Sequence, residues 1–375
     1  MTEANMKRAP VPYVDLQSSY KDERDDIIAI VDDIFGSGQF LGNKHVAKFE
    51  ADAATALDVA QVVAVDSGTD ALVFGMGALG IGPGDEVITP PNSFLASTGA
   101  IIQIGAIPVF ADVLPDQNID PDAVLKAVTT RTKAIMAVHL SGRMAEMDRL
   151  SEIAEEHGVL LIEDAAQAMG SSQNGRKAGS FGQIGCFSTH PVKNLGAAGD
   201  GGFIATNDVE MAEQIRFTRR HGLIDRDTAP TWGIVSRMDE LQAAILSLRL
   251  TTLSGKIERR RANAALYRDC LDPDHVFHAP CRDGDYNTFH TFVVQVAERD
   301  KLRQYLSDHD VSTAIHYPVP IHLQPCARDL GWGLGDVPVV EAQAGRILSL
   351  PVHEHLSEND IKFVADTVNH FLSNI

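Results

Sequence analysis

Short apolar runs alternate with helix-length amphipathic patterns along most of this chain, and that alternation restricts the fold more than any other feature. Gln61 to Val65, Glu86 to Thr89, Ile107 to Phe110, Ala134 to Val138, Val159 to Ile162 and Gly202 to Thr206 read as strands. Between and before them the period lengthens. Tyr20 to Phe35 places Ile27, Ile28, Val31, Ile34 and Phe35 at helical spacing and is stopped by Gly36-Ser37-Gly38; a second helix follows from Lys44 to Leu57. Strands and helices in this order build an α/β fold, a mostly parallel sheet with helices on both faces.

A long helix after Trp232, with Leu241, Ile245 and Leu248 on one stripe, carries the chain out of that sheet. It predicts a large unit over 1–250 and a smaller C-terminal α/β unit over 251–375. The smaller unit would hold the strand Thr291 to Val296, the segment Ile315-His316-Tyr317-Pro318 and a closing helix from Ile361 to Phe371.

The net charge of −19 over 375 residues argues against nucleic acid or an anionic membrane as partner, since both need clustered Lys and Arg. The four cysteines (Cys186, Cys270, Cys281, Cys326) have neither metal-site nor disulfide-framework spacing. The first residues lack the apolar core of a signal peptide, and no apolar run reaches the roughly 18 residues of a membrane helix. A cytoplasmic location is expected.

Two stretches carry chemistry. Val159-Leu160-Leu161-Ile162-Glu163-Asp164 is an apolar strand that ends in acids and runs into small residues. A carboxylate there lies at the rim where open α/β sheets bind ligands, although Asp is also a common helix cap. Cys186 to Leu195 is a second strand that ends in Ser188-Thr189-His190-Pro191. Proline has no ladder donor, so Lys193 falls just past the strand end, in a loop with Gly196, Gly199, Gly201 and Gly202. By residue type alone Lys193 is an ordinary surface charge. Together, a lysine and an aspartate on neighbouring strand ends are what pyridoxal phosphate needs: an amine for the cofactor aldehyde and a carboxylate for its protonated ring nitrogen.

Glu163-Asp164-Ala165-Ala166-Gln167 and Ser188-Thr189-His190-Pro191-Val192-Lys193-Asn194-Leu195, followed by Gly199-Asp200-Gly201-Gly202, resemble the hallmark segments of the DegT-type sugar aminotransferases of fold type I. The resemblance spans nearly the whole chain. It implies pyridoxal 5'-phosphate as cofactor, a homodimer, and transfer of an amino group from glutamate to a keto-sugar, generally nucleotide-linked, or to a keto-cyclitol. It also implies roles. Lys193 forms the Schiff base and Asp164 holds the pyridinium, while Phe94 stacks on the ring and Gln167 lies at the ring's polar edge. Gly68, Thr69 and Ser188 grip the phosphate. Asp66-Ser67-Gly68-Thr69-Asp70 opens a helix, and a helix N-terminus suits phosphate, although an ordinary Ser or Asp cap explains the same residues. Phe94, likewise, is by pattern alone a packing residue.

On the substrate side the resemblance points to Arg237, Tyr317, His322 and His290. Gly38-Gln39-Phe40-Leu41-Gly42 resembles an arm that approaches the active site. Val235 departs from the family, which usually has an asparagine there that reaches the neighbouring subunit's cofactor phosphate. Sugar dehydratases of the same fold replace the lysine with histidine, so Lys193 counts against that activity, with His190 close by. A non-catalytic, cofactor-binding regulator is the alternative from another class, and no basic patch or DNA-reading helix supports it.

Overall fold

The computed structural model describes residues 8–42 and 44–374. In chain order the strands are β1 (Gln61–Val65), β2 (Glu86–Thr89), β3 (Ile107–Phe110), β4 (Thr132–Val138), β5 (Leu160–Asp164), β6 (Ser172–Gln173), β7 (Arg176–Lys177), β8 (Ile184–Ser188), β9 (Gly202–Thr206), β10 (Asp285–Tyr286), β11 (Phe292–Gln295) and β12 (Ile347–Leu350). The main sheet has the order β1-β9-β8-β5-β4-β2-β3. Its pairs are parallel from β3 across to β8, and β9 runs antiparallel to both β8 and β1. The expected α/β fold with a mostly parallel sheet is therefore present.

Side chains alternate across each strand, so a sheet covered on both faces needs two apolar layers. Val62, Ala64, Ile135, Ala137 and Leu161 pack on one face with Phe49 and Leu57 from the helix Lys44–Leu57. Val63, Val65, Ala134, Met136 and Ile162 pack on the other with Leu72 and Met76 from the helix Gly68–Ala78. Both layers are buried. Continuous apolar strands such as Val62-Val63-Ala64-Val65 follow from burial on two sides.

A third core lies beyond the sheet, where β11 and β12 pair antiparallel and pack on the helices Arg299–Asp308 and Glu358–Leu372. The 31-residue helix Glu240–Cys270 joins the two regions: its Ala243, Leu246, Leu253 and Ile257 belong to the first layer, its Ala264 and Tyr267 to the third core. Val11, near the start of the described chain, also packs there and pairs with Val311. No described helix is long and apolar enough to cross a membrane.

This topology places the site. The parallel strands β4, β5 and β8 end side by side at one rim, with Asp164 opposite Cys186 in the ladder. Gly202, at the start of β9, pairs with both Ser188 and Val65, which brings the end of β1 to the same rim.

Candidate active site

Asp164 is the last residue of β5 and is buried. Its Oδ1 accepts from the Ala166 N–H at 3.2 Å, and its Oδ2 accepts from the Ser97 hydroxyl at 2.6 Å. The carboxylate is thus held from two sides at the rim, with lone pairs left for a further donor. It begins no helix, so the capping alternative falls away.

Lys193 lies five residues past the end of β8, in the loop expected from Pro191, and its backbone N–H donates to the His190 carbonyl at 2.8 Å. The side chain is partly buried. Desolvation pulls its pKa down to about 8, and the Asp164 charge works in the opposite direction. An amine near neutrality is a usable base and nucleophile at physiological pH. The loop is held tightly. A Cβ at Gly196 would lie 2.5 Å from the Pro191 carbonyl oxygen, so only glycine fits there. Arg249 donates to the carbonyls of Gly196 and Ala197 at 2.6 and 3.2 Å and is itself paired with buried Glu23.

Gly68, Ser188 and Gly202 converge beside this loop. A Cβ on Gly68 would sit 2.6 Å from the Ser188 Cβ, and one on Gly202 would sit 2.3 Å from the Ser67 carbonyl oxygen. Ser67 caps the helix Gly68–Ala78: its hydroxyl accepts from the Asp70 N–H and its carbonyl from that of Ala71. Gly68 and Thr69 are left as donors at the positive end of the helix dipole. The cap expected of this turn is formed by Ser67, and the two donors beside it remain open to an anion.

Phe94 precedes the helix Leu95–Gln103 with an exposed ring, 59% accessible, whose centroid is 6.0 Å from that of Tyr317. Gln167 is buried. Its Oε1 accepts from the Ser141 N–H at 2.7 Å, which fixes the amide so that its nitrogen donates to the Tyr317 hydroxyl at 3.2 Å. Burial and the Asp164 charge push the Tyr317 phenol up to about 12, so it stays protonated. His290 is buried close enough to Lys193 that burial, then that charge, hold it well below the usual imidazole range. His316 is lowered to about 4 by burial and Lys193, and its Nδ1 lies 2.9 Å from the Ser349 hydroxyl.

The remaining candidates lie apart from this group. His322 is buried against Phe110, with its Nε2 3.0 Å from Glu341, in a small apolar cluster with Val337 and Val340. Arg237 and Val235 are exposed on the loop after Trp232, while Ser236 between them turns inward and donates to Asp70 at 2.6 Å. Sequence reasoning missed Ser97, Ser141 and His316. Ser97 was within reach of it, because it lies in the first turn of the helix whose start Phe94 marks.

A lysine, a carboxylate, an exposed aromatic ring and a helix N-terminus thus meet at one rim. The profile of the DegT/DnrJ/EryC1/StrS aminotransferase family matches residues 21–369. A Geobacillus stearothermophilus protein named "Pleiotropic regulatory protein" is 40% identical over 365 residues, 96% of this chain and 98% of that one. The dTDP-3-amino-3,4,6-trideoxy-alpha-D-glucose transaminase of Streptomyces venezuelae is 39% identical over 367 residues, 97% of each chain. The X-ray structure of S. venezuelae DesV in complex with a ketimine intermediate matches with a TM-score of 0.96 at 38% identity, over 98% of this chain and 100% of that one. On its sequence and its fold, this chain belongs to the DegT/DnrJ/EryC1/StrS aminotransferase family.

Proposed function

We propose that this enzyme is a pyridoxal phosphate-dependent aminotransferase that moves the amino group of glutamate to a nucleotide-linked keto-sugar. The observation that carries the reading is the joint placement of Lys193 and Asp164 at adjacent strand ends, with the Gly68–Ser188 cradle beside them. The residues fit the cofactor. Asp164 offers a carboxylate to the ring nitrogen, Phe94 a face to the ring, and Gly68, Thr69 and Ser188 donors to the phosphate. When bound, the cofactor supplies an electron sink for the carbon that gives up its proton.

The chain's own part is proton handling and orientation. The Lys193 amine, held near neutrality by desolvation, takes the proton from the α-carbon of the amino donor. In the second half-reaction it returns one to the sugar carbon that receives the nitrogen. Gln167, fixed by Ser141, and Tyr317, kept protonated, present donors at the polar edge of the same space. Of the four substrate-side candidates, Tyr317 and His290 are best placed for contact, and Arg237 lies on the loop that would reach a second subunit.

A homodimer and a cytoplasmic location belong to the same proposal. Phe40, Leu41, Trp232, Ile234 and Val235 are all exposed. Leu41 pairs with Asp239, which gathers the arm and the loop into one apolar surface of the kind a second copy covers. A large unit over 1–250 and a small one over 251–375 belong to the same proposal, with two crossings of that boundary: Val11 packs in the core of the small unit, and Leu253 and Ile257 pack in the core of the large one. A purely regulatory role, suggested by the name of the Geobacillus relative, would need neither Lys193 nor Asp164 in place.

The test is incubation of the pure holoenzyme with glutamate and a panel of keto-sugar nucleotides and keto-cyclitols, with mass detection of products. Amination of a nucleotide sugar with formation of 2-oxoglutarate is expected. Amination of cyclitols alone would move the substrate class, and no amination of any acceptor would overturn the reading.

A further inference from the structure

The contact between Ser97 and Asp164 has the features of a tuned pair. Asp164 is 5% and Ser97 1% exposed, and 2.6 Å separates the hydroxyl from Oδ2. A carboxylate only accepts, so the serine hydrogen must point at Asp164. Such a charge-assisted bond is short and strong, and here water does not compete with it. With the Ala166 N–H on Oδ1, the carboxylate has one fixed donor on each oxygen. Its plane is set before anything else binds.

Ser97 also stands in the first turn of the helix that Phe94 begins, and its N–H donates to the Phe94 carbonyl at 3.3 Å. One turn of backbone therefore couples the exposed ring to the aspartate. The other titratable groups that face Asp164 are Lys193 after β8, Cys186 on β8 and Tyr317 from the segment beyond β11. None of the three donates a hydrogen bond to the carboxylate.

We propose that Ser97 is a positioning residue for the transamination: its hydroxyl fixes the Asp164 carboxylate and draws on its charge, so that the proton shared with the cofactor ring nitrogen stays on the ring. The inference rests on the proposed cofactor chemistry. Without the hydroxyl, Oδ2 loses its donor and competes better for the shared proton. The ring becomes less positive, and the nitrogen that joins Lys193 to the cofactor keeps its own proton to higher pH.

Ser97→Ala in the holoenzyme should raise the pH midpoint of the visible absorption by about one unit and lower kcat about tenfold, with KM changed no more than about twofold. Ser97→Thr, which keeps the hydroxyl, should restore both. In an Asp164→Asn background, Ser97→Ala should change kcat by no more than about twofold, because the charge it acts on is gone. Should Ser97→Ala not fold, Ser97→Cys, a weaker donor of similar size, should give a smaller shift in the same direction. An unmoved absorption midpoint, or an equal loss of kcat in both backgrounds, would overturn the proposal. The absorption readout needs no substrate, so a failed amination assay with a shifted midpoint would sink the substrate class and leave Ser97 standing.

Discussion

Gly68 and Ser188 approach so closely that a Cβ on the glycine would lie 2.6 Å from the serine Cβ. This contact joins the first turn of the helix Gly68–Ala78 to the end of β8, and with it the proposed phosphate cradle to the strand that leads to Lys193. Gly68→Ala must push the two apart. The expected cost is about 1–3 kcal/mol of stability, typical of overpacking, together with weaker cofactor binding. Gly77 is the control in the same helix, with nothing within 4 Å of its would-be Cβ. Gly77→Ala should stabilise by about 0.5–1 kcal/mol through helix propensity and leave the cofactor alone. Denaturant unfolding and cofactor titration of both variants check the contrast.

Asp164→Asn keeps the shape of the buried side chain: its amide oxygen can accept from the Ala166 N–H while the Ser97 hydroxyl turns to accept from the amide nitrogen, so the fold and most of the cofactor affinity should survive. A neutral amide does not favour a protonated ring nitrogen. Turnover should fall by about a hundredfold or more, the order seen when a preorganised electrostatic partner is removed. Wild-type rates in this variant would take Asp164 out of the chemistry.

Strand positions were legible because burial on both faces leaves an unmistakable pattern. Gln61–Val65, Glu86–Thr89, Ile107–Phe110 and Gly202–Thr206 match the bounds read from the sequence. Helix ends were less so. The first helix, read from Tyr20 to Phe35, runs Leu16–Ser37 because Asp15 caps its start and Gly38, at φ 68°, closes its end. The antiparallel course of β9 was not legible, since strand direction is set by partners rather than by composition. Lys193 stood out through the motif around it, and its neighbours did not. His316 and Ser141 act through contacts across long stretches of chain, and no local pattern announces them.

The lowered pKa of Lys193 gives a signed pH dependence in the apo-protein. Its ordinary value is 10.5 and the folded value about 8, so between these two the unfolded chain binds more protons than the folded one. Stability from this group therefore rises with pH across that window and is lost as pH falls through about 8. Lys193→Met removes the titration. The difference in unfolding free energy between apo wild type and Lys193→Met should move in favour of wild type from pH 8 to 10.5. A difference that stays flat would place the lysine in water.

Trp232 is 96% exposed beside Ile234 and Val235. If a second copy covers this surface, Trp232→Glu should shift sedimentation from dimer toward monomer and lower activity, with far-ultraviolet circular dichroism unchanged. Wild type that sediments as an active monomer would rule out the shared-site arrangement.

Lys193 is the residue proposed to carry the cofactor. Borohydride reduction of the holoenzyme, followed by digestion and peptide mapping by mass spectrometry, tests it directly. The pyridoxyl group should appear on the peptide that contains Lys193 and be absent from the Lys193→Met variant. A label on any other lysine, or an unlabelled Lys193 in an enzyme that still turns over, would contradict the account.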